Sequence, residues 1–195
     1  LGMRTGLFFG SFNPIHNGHL AIANYFVDFT EVNELWFVVS PQNPLKDKEI
    51  LAPDFHRLEM VKKAISIDEH RISVCDIEMS MPIPSYTIDT LKALEKKYPE
   101  RSFYLILGSD SLETITKWKD YQELLNNYKI LVYPREGSNI DELAKRYPVK
   151  VIKAPLFEYS STLIREKMSK GEDVSKMIPH SVLKYILKNG LYRTK

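Results

Sequence analysis

The feature that most constrains this chain is a regular exchange of two periodicities. Short apolar runs suited to buried strands give way repeatedly to segments whose apolar residues recur at helical spacing. The strand candidates are TGLFF (5–9), ELWFVVS (34–40), RISVCD (71–76), FYLILG (103–108), YKILVYP (128–134) and VKVIKA (149–154). Helices are expected near 17–29, 55–67 (capped by Asp54), 87–98, 161–169 and 180–188, the last two closed by Gly171 and Gly190. Such alternation predicts an α/β fold: a Rossmann-like, doubly wound parallel sheet with helices on both faces and a small C-terminal helical portion. Ligands of these sheets sit beyond the carboxyl ends of the strands, where the strand order reverses. Residues 10–19, 40–48 and 108–111, which follow the first, second and fourth strands, are therefore expected to share one cleft. The tail helix either closes the core or joins a second copy of the chain as a homo-oligomer.

Composition narrows the functional classes. With one cysteine, Cys75, the chain can form no intramolecular disulfide and no thiolate zinc cage. Cys75 reads as a small core residue, and the reducing cytoplasm is the expected location. A net charge of +2 without a dense Lys/Arg block gives no argument for a nucleic-acid or membrane partner. No apolar run approaches membrane-spanning length. Leu1-Gly2 ahead of Met3 reads as a cloning remnant, leaving 3–195 as one expected domain.

The densest chemistry lies in GLFFGSFNPIHNGHLAIANYF (6–26), where a strand hands over to a helix. Gly10 permits close backbone approach to a ligand. The helix expected from Asn17 offers free N–H groups and a positive dipole end to an anion. His16 precedes it and His19 lies in its first turn, so both imidazoles can face one phosphate, with side-chain-free Gly18 between them. A dinucleotide fingerprint, Gly-x-Gly-x-x-Gly, is not supplied by GSFNPIHNG. A zinc site needs ligands that nothing here identifies, and no metal site of the protein's own is expected.

Three further stretches can serve a ligand or merely cap helices. In YSSTLIREKMSKG (159–171), Ser160, Ser161 and Thr162 are good N-cap residues and Arg165 adds a fork of donors one turn on. In LGSDSLETITKWKDYQELL (107–125), Asp110 is delivered to the cleft edge as a helix cap or a ribose contact, and Trp118 is a packing residue or a stacking platform. In PIPSYTIDTL (82–91), Ser85-Tyr86-Thr87 opens a helix with donors suited to an anion. The proline-rich loop PQNPLKDKEILAPD (41–54) carries Lys46 and Lys48.

Together these residues resemble the nucleotidylyltransferase superfamily. GSFNPIHNGHL is similar to its first signature, Gly-x-Phe-Asp-Pro-x-His-x-Gly-His, and YSSTLIR to its second, Ser-Ser-Thr-x-Ile-Arg. LGSDSLETITKW, PSYTIDTL, RLEM (57–60) and VYPREG (132–137) are similar to segments of the bacterial nicotinate-nucleotide adenylyltransferase branch. Two departures stand out: Asn13 replaces the usual Asp, and Asn-Pro-Leu-Lys replaces Pro-Pro-His-Lys in the second loop. The resemblance implies transfer of AMP from ATP to nicotinate mononucleotide, giving deamido-NAD and pyrophosphate with Mg²⁺ required. It implies no covalent enzyme intermediate. It implies catalytic roles for His16, His19 and Arg165. ATP contacts fall to Gly10, Ser11, Phe12, Gly18, Lys46, Gly108, Asp110, Ser160, Ser161 and Thr162. Nicotinate-nucleotide contacts fall to Ser85, Tyr86, Thr87, Trp118 and Arg135. Rival readings are a phosphopantetheine or nicotinamide mononucleotide adenylyltransferase and a non-catalytic nucleotide sensor.

Overall fold

The computed structural model describes residues 2–41, 50–157 and 159–193. Six strands form one parallel sheet: β1 (Arg4–Gly10), β2 (Glu34–Val39), β3 (Ile72–Cys75), β4 (Ser102–Gly108), β5 (Lys129–Tyr133) and β6 (Lys150–Val151). Their spatial order is β3-β2-β1-β4-β5-β6. The order reverses between β1 and β4, whose register runs from Arg4 opposite Ser102 to Phe8 opposite Ile106. A crevice must open there, because the chain leaves β1 and β4 toward opposite faces.

Period-two alternation sorts each strand between two cores. Phe8, Phe37 and Ile106 point to one face, packed with Ile22 and Phe26 of α1 (Asn17–Phe29) and Met60 and Val61 of α2 (Asp54–Ala64). Ile164 of α7 (Ser161–Ser169) and Val182 and Ile186 of α8 (His180–Asn189) complete that core. The tail helix thus closes the main core, and burying each of these side chains contributes about 1.5–3 kcal/mol. Leu7, Trp36 and Leu105 point the other way. There they meet Ile88, Leu91 and Leu94 of α3 (Thr87–Lys97), together with α4 (Ser109–Glu113), α5 (Tyr121–Asn127) and α6 (Ile140–Arg146). Cys75 is partly buried against the same core, which pushes its thiol pKa up.

The expected strands are all present, and the expected helices begin within a residue of their observed starts. Gly171 and Gly190 both take the left-handed backbone that ends a helix. One expectation needs correction, and three helices were not foreseen. Asp54 does not cap α2: Pro53 occupies the cap, and Asp54 is the first helical residue, paired with Arg57. The helices α4, α5 and α6 have five to seven residues each, too short for a periodic pattern to stand out.

Candidate active site

The chain's handover from β1 to α1 builds one side of the crevice. His16 is the N-cap of α1, and its Nδ1 accepts from the backbone N–H groups of Gly18 (3.0 Å) and His19 (3.3 Å). His19 reciprocates: its Nδ1 accepts from the His16 N–H at 3.1 Å. Two histidines thus form the reciprocal cap usually made by Ser/Thr with Glu/Gln. The rings stack at 3.7 Å between centroids. Because both Nδ1 atoms accept, the proton of each neutral ring is on Nε2. Burial, reinforced by the charge of Arg135, lowers the His16 pKa to about 4. Burial first, then His16 and Arg135, pushes His19 well below its ordinary value. The pair is therefore a set of two neutral Nε2–H donors at neutral pH.

The second signature docks directly on the first. Ser160 caps α7 by accepting from Leu163 N–H at 3.2 Å. Ser161 Oγ donates to the Pro14 carbonyl at 2.8 Å. Arg165 Nη1 donates to the Asn13 carbonyl at 2.8 Å, and its Nη2 lies 3.4 Å from Thr162 Oγ1. Tyr159 adds an edge contact to His16 at 5.2 Å.

Beyond β1 and β4 lies a cleft of about 650 Å³. Gly10, Ser11, Gly108, Ser85 and Trp118 line it, so the ends of the first and fourth strands and the 82–91 segment do meet. Ser40 and Pro41 bring in the end of the second strand, while Lys46 and Lys48 lie outside the described residues. Ser85 Oγ is buried without a hydrogen-bond partner among the described residues. Beside it, Tyr86 is the N-cap of α3 without a side-chain cap, so the first-turn N–H groups from Thr87 onward have no capping oxygen.

Several residues sit differently from expectation. Phe12 turns inward: 2% exposed and at φ +48°, its ring packs edge-on against His19 (5.1 Å) and Phe37 (5.2 Å). Its ring belongs to the main core. Gly10 and Gly18 leave room first for the chain's own rings. A Cβ on Gly10 would meet the Phe12 ring at 3.0 Å, and one on Gly18 would meet His16 Cε1 at 2.8 Å. Asp110 lies in the first turn of α4, whose cap is Gly108. Arg135, expected at the mononucleotide, stands 3.7 Å from Asp110, and its charge acts on both histidines. Trp118 packs partly against the second core and also lines the cleft.

Arg57 opens the RLEM segment, but motif reading gave its side chain no role. Its side chain is fully buried and donates to the carbonyls of Ala52 (2.8 Å), Ser11 (2.8 Å) and Ser40 (2.6 Å). It ties the ends of β1 and β2 behind the cleft. Its signal was an arginine at the core spacing of Met60 and Val61.

Residues 7–167 match the cytidylyltransferase-like family. The chain belongs to that family. Among similar members, a Flavobacterium johnsoniae protein described as a "probable nicotinate-nucleotide adenylyltransferase" is 44% identical, with 98% of this chain and all of the relative aligned. A Bacteroides fragilis protein of the same description is 45% identical over 94% of this chain and 91% of its own. Among solved structures, the "nicotinic acid mononucleotide adenylyltransferase complexed with NaAD" from Plasmodium falciparum superimposes with a TM-score of 0.83 at 25% identity, covering 97% of each chain. The same enzyme complexed with APC gives 0.82.

Proposed function

We propose that the chain is a nicotinate-nucleotide adenylyltransferase, transferring AMP from ATP to nicotinate mononucleotide and releasing deamido-NAD and pyrophosphate. The observation that carries the reading is the pair of neutral Nε2–H histidines on the N-terminus of α1, held against the second signature. The descriptions of the relatives support the same chemistry.

The mononucleotide's 5′-phosphate oxygen attacks the α-phosphorus of ATP, and the bond to the pyrophosphate oxygen breaks. No enzyme nucleophile is required, so catalysis rests on positioning and charge stabilisation. His16 and His19 would donate to the phosphate oxygens as negative charge moves onto the leaving group. Arg165, with Ser160, Ser161 and Thr162, would hold the pyrophosphate side. Arg135, beside Asp110 and the histidines, would add positive charge there rather than at the pyridine. Backbone of Gly10, Ser11 and Gly108 would border the nucleotide. In the same cleft, the Trp118 ring would stack on the pyridine. Ser85 Oγ and the first-turn N–H groups of α3 would receive its carboxylate.

Among the described residues no cluster of His, Cys, Asp or Glu could hold a metal ion. Asp110, in the first turn of α4, would suit a Mg²⁺ that arrives with ATP on phosphate oxygens and waters. It would neutralise phosphate charge. Among the described residues no helix is long and apolar enough to cross a membrane.

The test is pyrophosphate release with ATP and, in parallel, the acid mononucleotide, the amide mononucleotide or phosphopantetheine. Release is expected with the acid most of all. Preference for another acceptor would overturn the substrate, and silence with all three would favour a nucleotide sensor.

A further inference from the structure

The chain's last turn belongs to none of the motifs, yet it reaches the junction of the two signatures. Gly190 ends α8 in the left-handed region at φ +62°, and Leu191 N–H donates back to the Ile186 carbonyl at 3.1 Å. The chain is thereby turned inward. Tyr192 follows, itself at φ +61°, a conformation that a tyrosine rarely adopts. It is 8% exposed, and its hydroxyl donates to Asn13 Oδ1 at 2.6 Å.

Asn13 is a hub. It is 1% exposed, and its Oδ1 also accepts from Ala52 N–H at 3.1 Å. Its Nδ2 donates to the Ile50 carbonyl at 2.9 Å. The amide therefore clamps segment 50–52 from both sides, which an ionised carboxylate could not do, having no proton to give Ile50. The backbone carbonyl of the same residue receives Arg165 Nη1, and the next carbonyl receives Ser161 Oγ. Arg57 closes the circuit by donating to Ala52 and Ser11. Burial pushes the Tyr192 phenol pKa up, so the hydroxyl keeps the proton that it donates, and the arginines Arg57 and Arg165 are its charged neighbours.

We infer that Tyr192, acting through Asn13, is a positioning residue for the ATP half of the site. Its hydroxyl holds the Asn13 amide in one orientation. That orientation fixes the 13–14 backbone against which Ser161 and Arg165 are aligned. The tail thus contributes to catalysis without touching substrate, by preorganising the groups that would hold the pyrophosphate moiety. The pyridine side, built from Ser85, the start of α3 and Trp118, makes none of these hydrogen bonds. The inference rests on the adenylyltransferase reading given above.

The experiment compares wild type with Tyr192→Phe and Asn13→Asp in the pyrophosphate assay, with ATP affinity measured separately by calorimetry. Tyr192→Phe keeps the ring and removes one hydrogen bond. It is expected to raise KM and Kd for ATP about five- to tenfold, the scale of one buried hydrogen bond, while KM for the mononucleotide stays within about twofold. Asn13→Asp keeps both acceptor bonds and loses the donor to Ile50. It is expected to weaken ATP in the same direction, with the mononucleotide again unmoved. Unchanged ATP constants in Tyr192→Phe, or parallel loss of both substrates, would overturn the inference and leave the tail a packing element. Failure of the function itself would appear differently, as wild-type enzyme that binds ATP but releases no pyrophosphate with any acceptor.

Discussion

His19 has two jobs that can be separated by substitution. Its Nδ1 satisfies the buried His16 N–H, and its Nε2–H is the proposed donor to phosphate. His19→Ala removes both. Orphaning that N–H costs about 1–3 kcal/mol, and for a domain of this size each kcal/mol lowers Tm by about 2–4 °C. A fall of about 2–12 °C is expected, because the Phe12 and Phe8 edges that pack on the ring also lose their partner. His19→Asn is the informative control. Its Oδ1 stands the same number of bonds from the backbone as Nδ1 and can accept the same N–H, so most of the lost stability should return. Turnover should not return, since neither variant offers the Nε2–H; both should lose about 10²–10³-fold in kcat. Thermal melts by circular dichroism and saturating pyrophosphate-release rates read the two quantities. Asparagine melting as low as alanine would remove the cap argument, and near-wild-type turnover in either variant would remove the catalytic one.

Three shorter expectations follow. Stability should fall on acidification from pH 6.5 to about 4, because the unfolded chain takes up a proton that folded His16 refuses; the loss from His16 alone is about 3 kcal/mol and is absent above pH 6.5. Urea midpoints that do not move between pH 7 and pH 4.5 would contradict this. Arg57→Met should cost about 3 kcal/mol or more, since three carbonyls lose a buried donor at once. Equilibrium denaturation reads it, with a change below about 1 kcal/mol counting against. Trp118→Ala should raise KM for the mononucleotide about tenfold or more, with the ATP value nearly constant; equal effects on both substrates would remove the stacking platform.

The sheet was legible because its strands are buried on both faces and therefore read as unbroken apolar runs, as in FYLILG. The switch-point cleft followed from topology, and the position of two histidines around the start of α1 from their spacing, but not the reciprocal cap that they make. What local reading missed has a common cause. The inward turn of Phe12, the space filled at Gly10 and Gly18, and the place of Arg135 all depend on partners distant in sequence. A glycine reports that a Cβ is unwelcome, but not whether ligand or protein fills the space. Arg57 and Tyr192 act only after β1, β2 and the tail have converged. The residue marked as a departure, Asn13, proved interpretable once its four partners could be named.

The sheet order also has a consequence for biosynthesis. β1 is synthesised first but cannot pair on its second edge until β4 exists, nearly half a chain later. A nascent β1–β2–β3 unit would carry that open apolar edge for all of this time, a template for mispairing with a neighbouring chain. Because Ser161, Arg165 and then Tyr192 arrive after the whole sheet, prematurely terminated products would already possess the crevice yet lack the proposed phosphate clamp. Such fragments would be sticky rather than partially active.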